Sequence, residues 1–499
     1  MLVAGSMAHS LTGRGQAPSA GGDGVAEHNL YNFHRFAPLS PLPIVALFSG
    51  ATACHYFALD EGGALYAWGR NERGQLGLGD TVNRYAPVLV PGLPPVLAVA
   101  AGKAHSVAVC AGGEVFACGD NSKGQCGLGK AVDSFGGMFS KFTRCHGLPA
   151  GAPVAPSVGA GAEFSVVCAG GAVYCAGSQQ YGQCGNGTTG EYIVHAGKSA
   201  HRENLSFLPV SGAAVAGVAF TAVAAGANHC VALSRDGVPF TWGFGAYGRL
   251  GHGAAADVLT PTPIKYFEAN ERLVRLCVCV CVCPVCVCVC PAGISTQGGL
   301  RRRSPLPPRT PHSPHTHSAP PSHNTRARAR LQRIASIAAG NAISFFTTRV
   351  NSLLYHVGIS KKSGEATMRP TYFADFSSMR VTGVAAGATS IIVSTSENST
   401  VAFGPSPTYG ELGFGEASKS SVKPKLVDDL EGLALSSVAM GLGLSMVLVE
   451  ASAERAAKFP VYDPKEPAGK AGGGAEGAGG GGKRKAGAAA PAAAKKAKK

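Results

Sequence analysis

The stretch VLAVAAGKAHSVAV (96–109), followed by EVFACGDNSKGQCGLG (114–129), recurs along the chain and decides its fold. A second clear copy is FTAVAAGANHCVAL (220–233) with PFTWGFGAYGRLGHG (239–253). Each copy has a small-residue segment ending in glycine, a turn, a short apolar segment, and an aromatic or small residue before a further glycine. Self-similarity at a period of about 50 residues is typical of propellers and solenoids. The repeat therefore predicts an interaction platform rather than a pocket enzyme.

The glycine that ends the first segment of each unit gives the register of the repeats. It recurs seven times, at Gly50, Gly102, Gly161, Gly226, Gly340, Gly387 and Gly441. The interval from Gly226 to Gly340 is about twice that of its neighbours, and removing residues 276–332 restores the regular spacing. The chain therefore carries an insertion between its fourth and fifth units.

Each unit is predicted to contain four strands. The first is rich in small residues, as expected where strands crowd around a propeller axis, and the last carries prolines, which sheets tolerate at an edge. The aromatics Trp68 and Trp242 are expected to pack between blades. We predict an all-β fold, a seven-bladed β-propeller of four-stranded blades, with a disordered insertion and a disordered basic C-terminal tail. The predicted segments are a mostly disordered N-terminal segment (1–36), propeller units one to four (37–275), the low-complexity insertion (276–332), units five to seven (333–450) and the tail (451–499).

Charge is concentrated outside the repeats. The chain has 44 Lys and Arg against 29 Asp and Glu, a net charge of +15. Residues 275–333 hold nine Arg and no acid, and residues 450–499 hold eleven basic residues against five acids. The repeat body is formally neutral, so nucleic-acid binding is expected only from these two segments or from a local patch.

Sixteen cysteines are present, and seven lie in CVCVCVCPVCVCVC (277–290). Cys-x-Cys spacing could form a thiolate metal cluster, and Leu273 to Ile294 could be a membrane span, although Arg275 and two prolines oppose it. Alternating Cys-Val is also what a TG dinucleotide tract encodes, so we favour a translated intron in an unstructured surface loop. We expect no metal, no cofactor and no membrane contact. The opening MLVAGSMAHS lacks a signal-peptide core, so a reducing, intracellular compartment without disulfides is expected.

The motif WGRNERGQLG (68–77) resembles the regulator of chromosome condensation repeat, whose family forms seven-bladed propellers. FGPSPTYGELGFG (403–415) and KFPVYDP (458–464) are similar to the telophase-disc branch of that family. The resemblance implies an interaction protein of mitosis and chromatin in the nucleus, with a face that engages a small GTPase and promotes nucleotide release. Chromatin or a nucleosome is a further implied partner. In that family a stretch upstream of the first unit helps to close the ring, and residues 1–27 show nothing comparable.

Turn residues that differ between units are the candidate partner-binding positions, because function usually breaks the symmetry of a repeat. They are Lys103, Glu163, Asn228 and Thr389, which are expected to ring one face. Phe164 beside Glu163 supplies an aromatic anchor next to a charge, although it could equally fill the core of the turn while Glu163 is solvated. The recurring histidines His55, His105 and His229 are expected to be structural.

The tail ends in KRKAGAAAPAAAKKAKK (483–499), with two basic clusters separated by a flexible spacer. This pattern predicts a bipartite signal for an import receptor, with a DNA-contacting arm or a merely solvated tail as alternatives. The residues of the predicted signal are Lys483, Arg484, Lys485, Lys495, Lys496, Lys498 and Lys499.

No Walker loop, G-x-S-x-G elbow or H-E-x-x-H helix occurs in the chain, so no catalytic residues are predicted. Trp68 and Trp242 are the only tryptophans and belong to separate units, which excludes light sensing by a tryptophan cluster. The alternative function is a propeller adaptor without exchange activity, serving ubiquitin transfer or trafficking.

Overall fold

The computed structural model describes residues 1–8, 29–129, 137–149, 154–195, 197–269, 334–349, 351–359, 364–416 and 421–464. The predicted insertion and most of the predicted tail, including all seven residues of the import signal, lie outside these ranges. Two short helices are present in the described part, α1 (Lys265–Ala269) and α2 (Ala453–Ala457). Neither they nor the short 3-10 turns described are long and apolar enough to cross a membrane.

The rest of the described secondary structure is β-strand. The strands of the first half of the chain are β1 (Leu2–Ser6), β2 (Asn29–Phe36), β3 (Ile44–Phe48), β4 (His55–Asp60), β5 (Leu65–Gly69), β6 (Arg84–Leu89), β7 (Val96–Ala101), β8 (His105–Cys110), β9 (Val115–Asp120), β10 (Met138–Arg144), β11 (Val154–Ala160), β12 (Phe164–Ala169), β13 (Ala172–Ser178), β14 (Glu191–His195), β15 (Lys198–His201), β16 (Glu203–Pro209), β17 (Phe220–Ala225), β18 (His229–Ser234), β19 (Pro239–Gly243) and β20 (Val258–Pro263). The second half contains β21 (Ile334–Ala339), β22 (Ile343–Thr348), β23 (Leu354–Ile359), β24 (Ala366–Tyr372), β25 (Val381–Ala386), β26 (Ile391–Thr395), β27 (Thr400–Phe403), β28 (Lys425–Leu426), β29 (Ala434–Met440), β30 (Leu444–Glu450) and β31 (Val461–Tyr462).

These strands form seven blades, as the repeat predicts. Blades one to six are four-stranded antiparallel meanders: β3 to β6, β7 to β10, β11 to β13 with β16, β17 to β20, β21 to β24, and β25 to β28. The first strand of each blade lines the axial channel, where Ala100, Ala224, Ala338, Ala385 and Ala439 are among the lining residues. Small residues are needed there because seven strands converge on one axis.

The glycine that ends each first strand is required by close contact between blades. A Cβ added to Gly102 would lie 2.6 Å from the carbonyl oxygen of Gly161, and one added to Gly226 would lie equally close to that of Gly340. No larger residue fits at such a distance without moving the backbone. The ring that begins the second strand lies closer still, with His105 2.2 Å from a Cβ added to Gly102, so the recurring glycine follows from packing both between blades and within each blade.

Blade seven is completed by two N-terminal strands, β1 and β2. The prediction that residues 1–36 are mostly disordered is therefore wrong for these two strands. The strand order in this sheet is β29-β30-β1-β2-β31, with β1 paired antiparallel to both β30 and β2. Val3 and Ala4 in β1 are fully buried. β1 and β2 supply the strands that unit seven lacks, so the N-terminal residues help to close the ring, and the expectation that residues 1–27 hold nothing comparable is wrong. With β1 in place, β30 has no free edge.

The start of the predicted tail is also structured. Residues 451–464 contain α2, capped by the Ser452 side chain, and β31, which pairs parallel to β2. The ring of Tyr462 stacks on Phe36 with centroids 6.2 Å apart, and Phe459 is buried. The C-terminal segment therefore fastens the closing blade, and the predicted boundary at residue 451 is too early.

Candidate partner-binding site

One end of the propeller carries most of the predicted partner-binding residues. In every antiparallel four-stranded blade, the turn between strands one and two and the connection between strands three and four emerge at the same end, which we call the turn face. Lys103, Glu163, Asn228 and Thr389 lie in first-to-second turns of blades two, three, four and six, so the fold does place them on this face. Lys103 is exposed, and the other three are half-buried.

Phe164, in contrast, is not available to a partner. Its side chain is 0% exposed, and a Cβ added to Gly161 would lie 2.1 Å from the Phe164 ring, so the ring packs directly on the turn glycine. It belongs to a buried cluster with Cys230 and Trp242. The prediction of Phe164 as a surface anchor is wrong because its ring occupies the interior position that His105 holds in blade two.

The recurring histidines are interior residues. His55, His105 and His229 are all 0% exposed, each the first residue of the second strand of its blade. Burial lowers the pKa of His55 to about 3, that of His105 to about 4 and that of His229 to about 3. The structural role expected for them therefore agrees with their positions, and none of them contributes to the turn face.

The structure shows one feature of the turn face that the sequence analysis missed. The connection from β13 to β16, residues 179–202, is longer than the corresponding connections 70–83 and 244–257, and it folds into the β14–β15 hairpin. This is the only two-stranded sheet among the residues described. The signal in the sequence was the apolar run Tyr192 to Val194 between glycines, outside any predicted propeller strand.

The hairpin presents apolar side chains to solvent. Tyr192 is 42% exposed, Ile193 79% and Val194 60%. Scattered exposed apolar residues are ordinary, but three in succession on one strand leave apolar side chains exposed on both faces of the hairpin, a concentration of the kind that marks interaction sites. A two-stranded hairpin has no core of its own. Its apolar strand is therefore better explained by contact with a partner than by folding.

Several contacts fix the base of the hairpin. The Gln179 side-chain amide donates to the Arg202 carbonyl at 2.7 Å, and the Arg202 amide donates to the Gly190 carbonyl at 2.9 Å. The Arg202 guanidinium lies over the Tyr192 ring, 5.6 Å from its centroid. His201 Nδ1 lies 2.9 Å from the Thr189 carbonyl oxygen. The hairpin is thus held in a defined direction, which reduces the entropy lost when it binds.

Between the hairpin and the propeller lies a cleft of about 340 Å³, which we call the blade-three cleft. It is lined by Lys123, Glu163, Ser178, Gln180, Tyr192, Ala200, His201 and Glu203. Lys123 Nζ lies 3.0 Å from Glu203 Oε1, an ion pair that joins blades two and three. This contact raises the pKa of Lys123, and the nearby Glu163 carboxylate adds to the effect. The cleft therefore brings the predicted residue Glu163 together with the hairpin.

The described residues include no group of three or more His, Cys, Asp or Glu side chains that could hold a metal ion. The nine cysteines described are free, and eight of them are buried. The cysteine run at 277–290 lies outside the described ranges, so its metal-binding alternative is untested. What the turn face offers is charge, exposed apolar surface and a polar cleft, which together are suited to binding a macromolecule.

Comparison with known proteins agrees with the fold. The model of the "Regulator of chromosome condensation (RCC1) repeat" matches residues 62–109, 170–233 and 236–280, and a second model of the same repeat matches 48–75 and 96–125. Protein RCC2 of Homo sapiens is 31% identical over 93% of this chain and 80% of its own length. The RCC2 homolog of Danio rerio is 30% identical over 93% and 84%.

Solved structures share the architecture. Human WBSCR16 superposes with a TM-score of 0.62 at 18% identity, covering 90% of this chain and 98% of that one. Prp20p of Saccharomyces cerevisiae, described with its binding properties to Gsp1p and histones, gives 0.61 at 17% identity, covering 92% and 93%. At such identities these two likenesses concern the fold alone.

Proposed function

Because the chain belongs to the regulator of chromosome condensation (RCC1) repeat family, we propose that it is a non-catalytic interaction protein of mitosis and chromatin that binds a small GTPase. The GTPase docks on the turn face at the β14–β15 hairpin, and docking promotes release of its guanine nucleotide. The protein acts in the nucleus, where chromatin is its second partner.

The observation that carries this proposal is the exposed apolar strand of the hairpin. The corresponding connections of blades one and four each expose one large apolar side chain, Val82 at 59% and Tyr247 at 50%, whereas blade three exposes Tyr192, Ile193 and Val194 in succession. Binding positions in a repeat protein are expected where the repeat is broken. An apolar strand with a fixed base and a free tip fits a protein partner better than a small molecule or a nucleic acid.

Nucleotide release would follow from differential binding. A ligand shifts an equilibrium only if it binds one state more tightly than the other. The phosphate and magnesium site of the GTPase is disturbed in its nucleotide-free state. If the hairpin fits that state better than the nucleotide-bound one, its binding favours nucleotide release. The propeller itself would supply rigid support, with no chemical step.

The test uses the purified full chain and a panel of small GTPases loaded with a fluorescent guanine nucleotide. We expect faster nucleotide release from at least one GTPase. Replacing both Ile193→Ser and Val194→Ser should abolish the acceleration, whereas Val82→Ser, an equally exposed apolar residue in a connection of blade one, should leave it unchanged.

The outcomes separate the proposal from its alternative. Stable binding of a GTPase without faster release would favour an adaptor without exchange activity, for ubiquitin transfer or trafficking. Acceleration that survives the double substitution would show that the hairpin is not the site. No binding across the panel would overturn the proposal itself.

A further inference from the structure

We infer that the blade-three cleft receives an arginine side chain from the partner that docks on the hairpin. The inference rests on the proposed function only in that a protein binds this face. It adds the chemistry of one contact, a guanidinium held between the Glu163 carboxylate and the Tyr192 ring.

The charges of the cleft favour a cation. Its lining contains two carboxylates, on Glu163 and Glu203, and one ammonium, on Lys123. The Lys123 ammonium is paired with Glu203 at 3.0 Å. The Glu163 carboxylate is half-buried and makes no hydrogen bond or ion pair among the residues described, because Lys123, which interacts with it electrostatically, is hydrogen-bonded to Glu203 instead. A partly buried carboxylate without a direct partner gains more from an incoming cation than an exposed one does.

The aromatic ring favours arginine over lysine. Tyr192 lines the cleft and remains 42% exposed, and it already accepts one guanidinium, that of the exposed Arg202, at 5.6 Å from its centroid. A planar guanidinium can stack on an aromatic ring while its paired N–H groups reach a carboxylate bidentately, which a lysine ammonium cannot do. Ser178 and Gln180 add side-chain oxygen acceptors along the wall.

The occupant would come from a partner rather than from this chain. Arg202 lies over Tyr192 but does not line the cleft. Lys123 is already engaged by Glu203. The cleft opens beside the apolar strand of the hairpin, so a partner that covers Ile193 and Val194 would place neighbouring side chains at its mouth. An arginine beside an apolar contact is a usual composition of an interaction hot spot.

The probe for this inference is N-acetyl-L-arginine N-methylamide, titrated into the full chain with methyl NMR detection of Ile193 and Val194. We expect saturable shifts in the millimolar range, the range open to a single side chain. The citrulline analogue, which keeps the shape and loses the charge, should produce none. The substitution Glu163→Gln should weaken binding about tenfold, because it removes one charge-assisted contact.

Glu191→Gln is the matched control, since Glu191 is an exposed carboxylate on the same hairpin that does not line the cleft. It should bind the probe as the unmodified chain does. Equal binding of the citrulline analogue, of the corresponding lysine derivative, or of the Glu163→Gln variant would overturn the assignment. Because the probe needs no GTPase, a failed GTPase panel with intact arginine binding would remove only the proposed function, and the reverse result would remove only the arginine contact.

Discussion

His105 in blade two and Ser165 in blade three are joined side chain to side chain, with Nε2 and Oγ 2.8 Å apart. The Ser165 hydroxyl donates to the Gln125 carbonyl at 2.7 Å, so it must accept from His105, and the proton of the neutral imidazole is on Nε2. His105 Nδ1 is then a buried acceptor without a partner. The pair therefore connects two blades. A second proton on the imidazole, at Nδ1, would be a buried donor without an acceptor.

The same connection recurs between blades one and two and between blades four and five, through His55 with Ser106 and His229 with Ser344. Blades three and five have Phe164 and Ile343 at the position of the histidine. The position of the serine in the following blade is then held by Cys230 or Ile391, and each of these pairs shares a buried cluster. Polar residues are matched with polar ones and apolar with apolar, as expected where an unpartnered buried polar group is costly.

The first prediction is a loss of stability in mild acid. Because burial lowers the pKa of His55, His105 and His229 to between about 3 and 4, the unfolded chain binds more protons than the folded one once the pH falls below the ordinary value of 6.5. Stability should therefore fall as the pH decreases, by about 2 kcal/mol per histidine at pH 5. Urea unfolding at pH 7.5 and pH 5 measures the difference.

A paired substitution isolates this effect. His105→Phe with Ser165→Cys reproduces the pairing of Phe164 and Cys230 and should remove the share of the pH-dependent loss that is due to His105, about 2 kcal/mol at pH 5. An unchanged pH dependence in a folded double variant would show that His105 is not one of the groups responsible.

The second prediction concerns ring closure. Val3 is fully buried in β1 between β30 and β2, so Val3→Asp places an unpaired carboxylate inside the closing blade. We expect a loss of at least about 3 kcal/mol in the free energy of unfolding. Asn32→Asp, at an exposed position of the neighbouring strand β2, adds the same charge and should cost little. Similar melting temperatures for the two variants would contradict closure by β1.

The repeats made most of the fold predictable, but not its closure or its projecting element. Glycine spacing and strand periodicity report contacts that recur in every blade, such as that of Gly102 against Gly161. The pairing of β1 with β30 occurs once and joins segments far apart in the sequence, so no repeated pattern predicts it. The β14–β15 hairpin forms a sheet of its own in the connection between β13 and β16, so the repeat does not predict it either. Glu163 could be chosen because it breaks the repeat, whereas the burial of Phe164 depends on which way its ring turns.

The third prediction is that residues 276–332 are dispensable. The strands of blades four and five are complete without them, since β20 ends at Pro263 and β21 begins at Ile334. Loop-closure entropy grows only logarithmically with length, so shortening this connection should leave the melting temperature unchanged or raise it. A clear loss of stability, or of stoichiometric zinc or copper, on deletion would contradict the interpretation of a translated intron.

The fourth prediction is nuclear import through the tail. A fluorescent reporter fused to residues 481–499 should accumulate in nuclei, because its two basic clusters have the spacing that a bipartite signal needs. Replacing Lys483, Arg484 and Lys485 with alanine should weaken that accumulation. A reporter that is evenly distributed with or without the alanines would rule out an import role for this segment.

The fifth prediction tests the docking surface by reversing one charge. Glu163→Lys leaves the blade-three cleft with two ammonium groups, on residues 123 and 163, and only the Glu203 carboxylate, so a partner's cation would be repelled instead of attracted. We expect at least a tenfold loss of GTPase affinity, since like charges facing each other across an interface are strongly unfavourable. The melting temperature should change little, because the Glu163 carboxylate is still partly exposed and makes no hydrogen bond or ion pair among the residues described that the substitution would break. Glu191→Lys, at an exposed position near the base of the same hairpin and outside the cleft lining, serves as the charge-matched control. Adding Lys123→Glu to Glu163→Lys restores the original balance of charges in the cleft and should recover part of the affinity. If a correctly folded Glu163→Lys variant binds its GTPase as tightly as the unmodified chain, the partner docks on another surface.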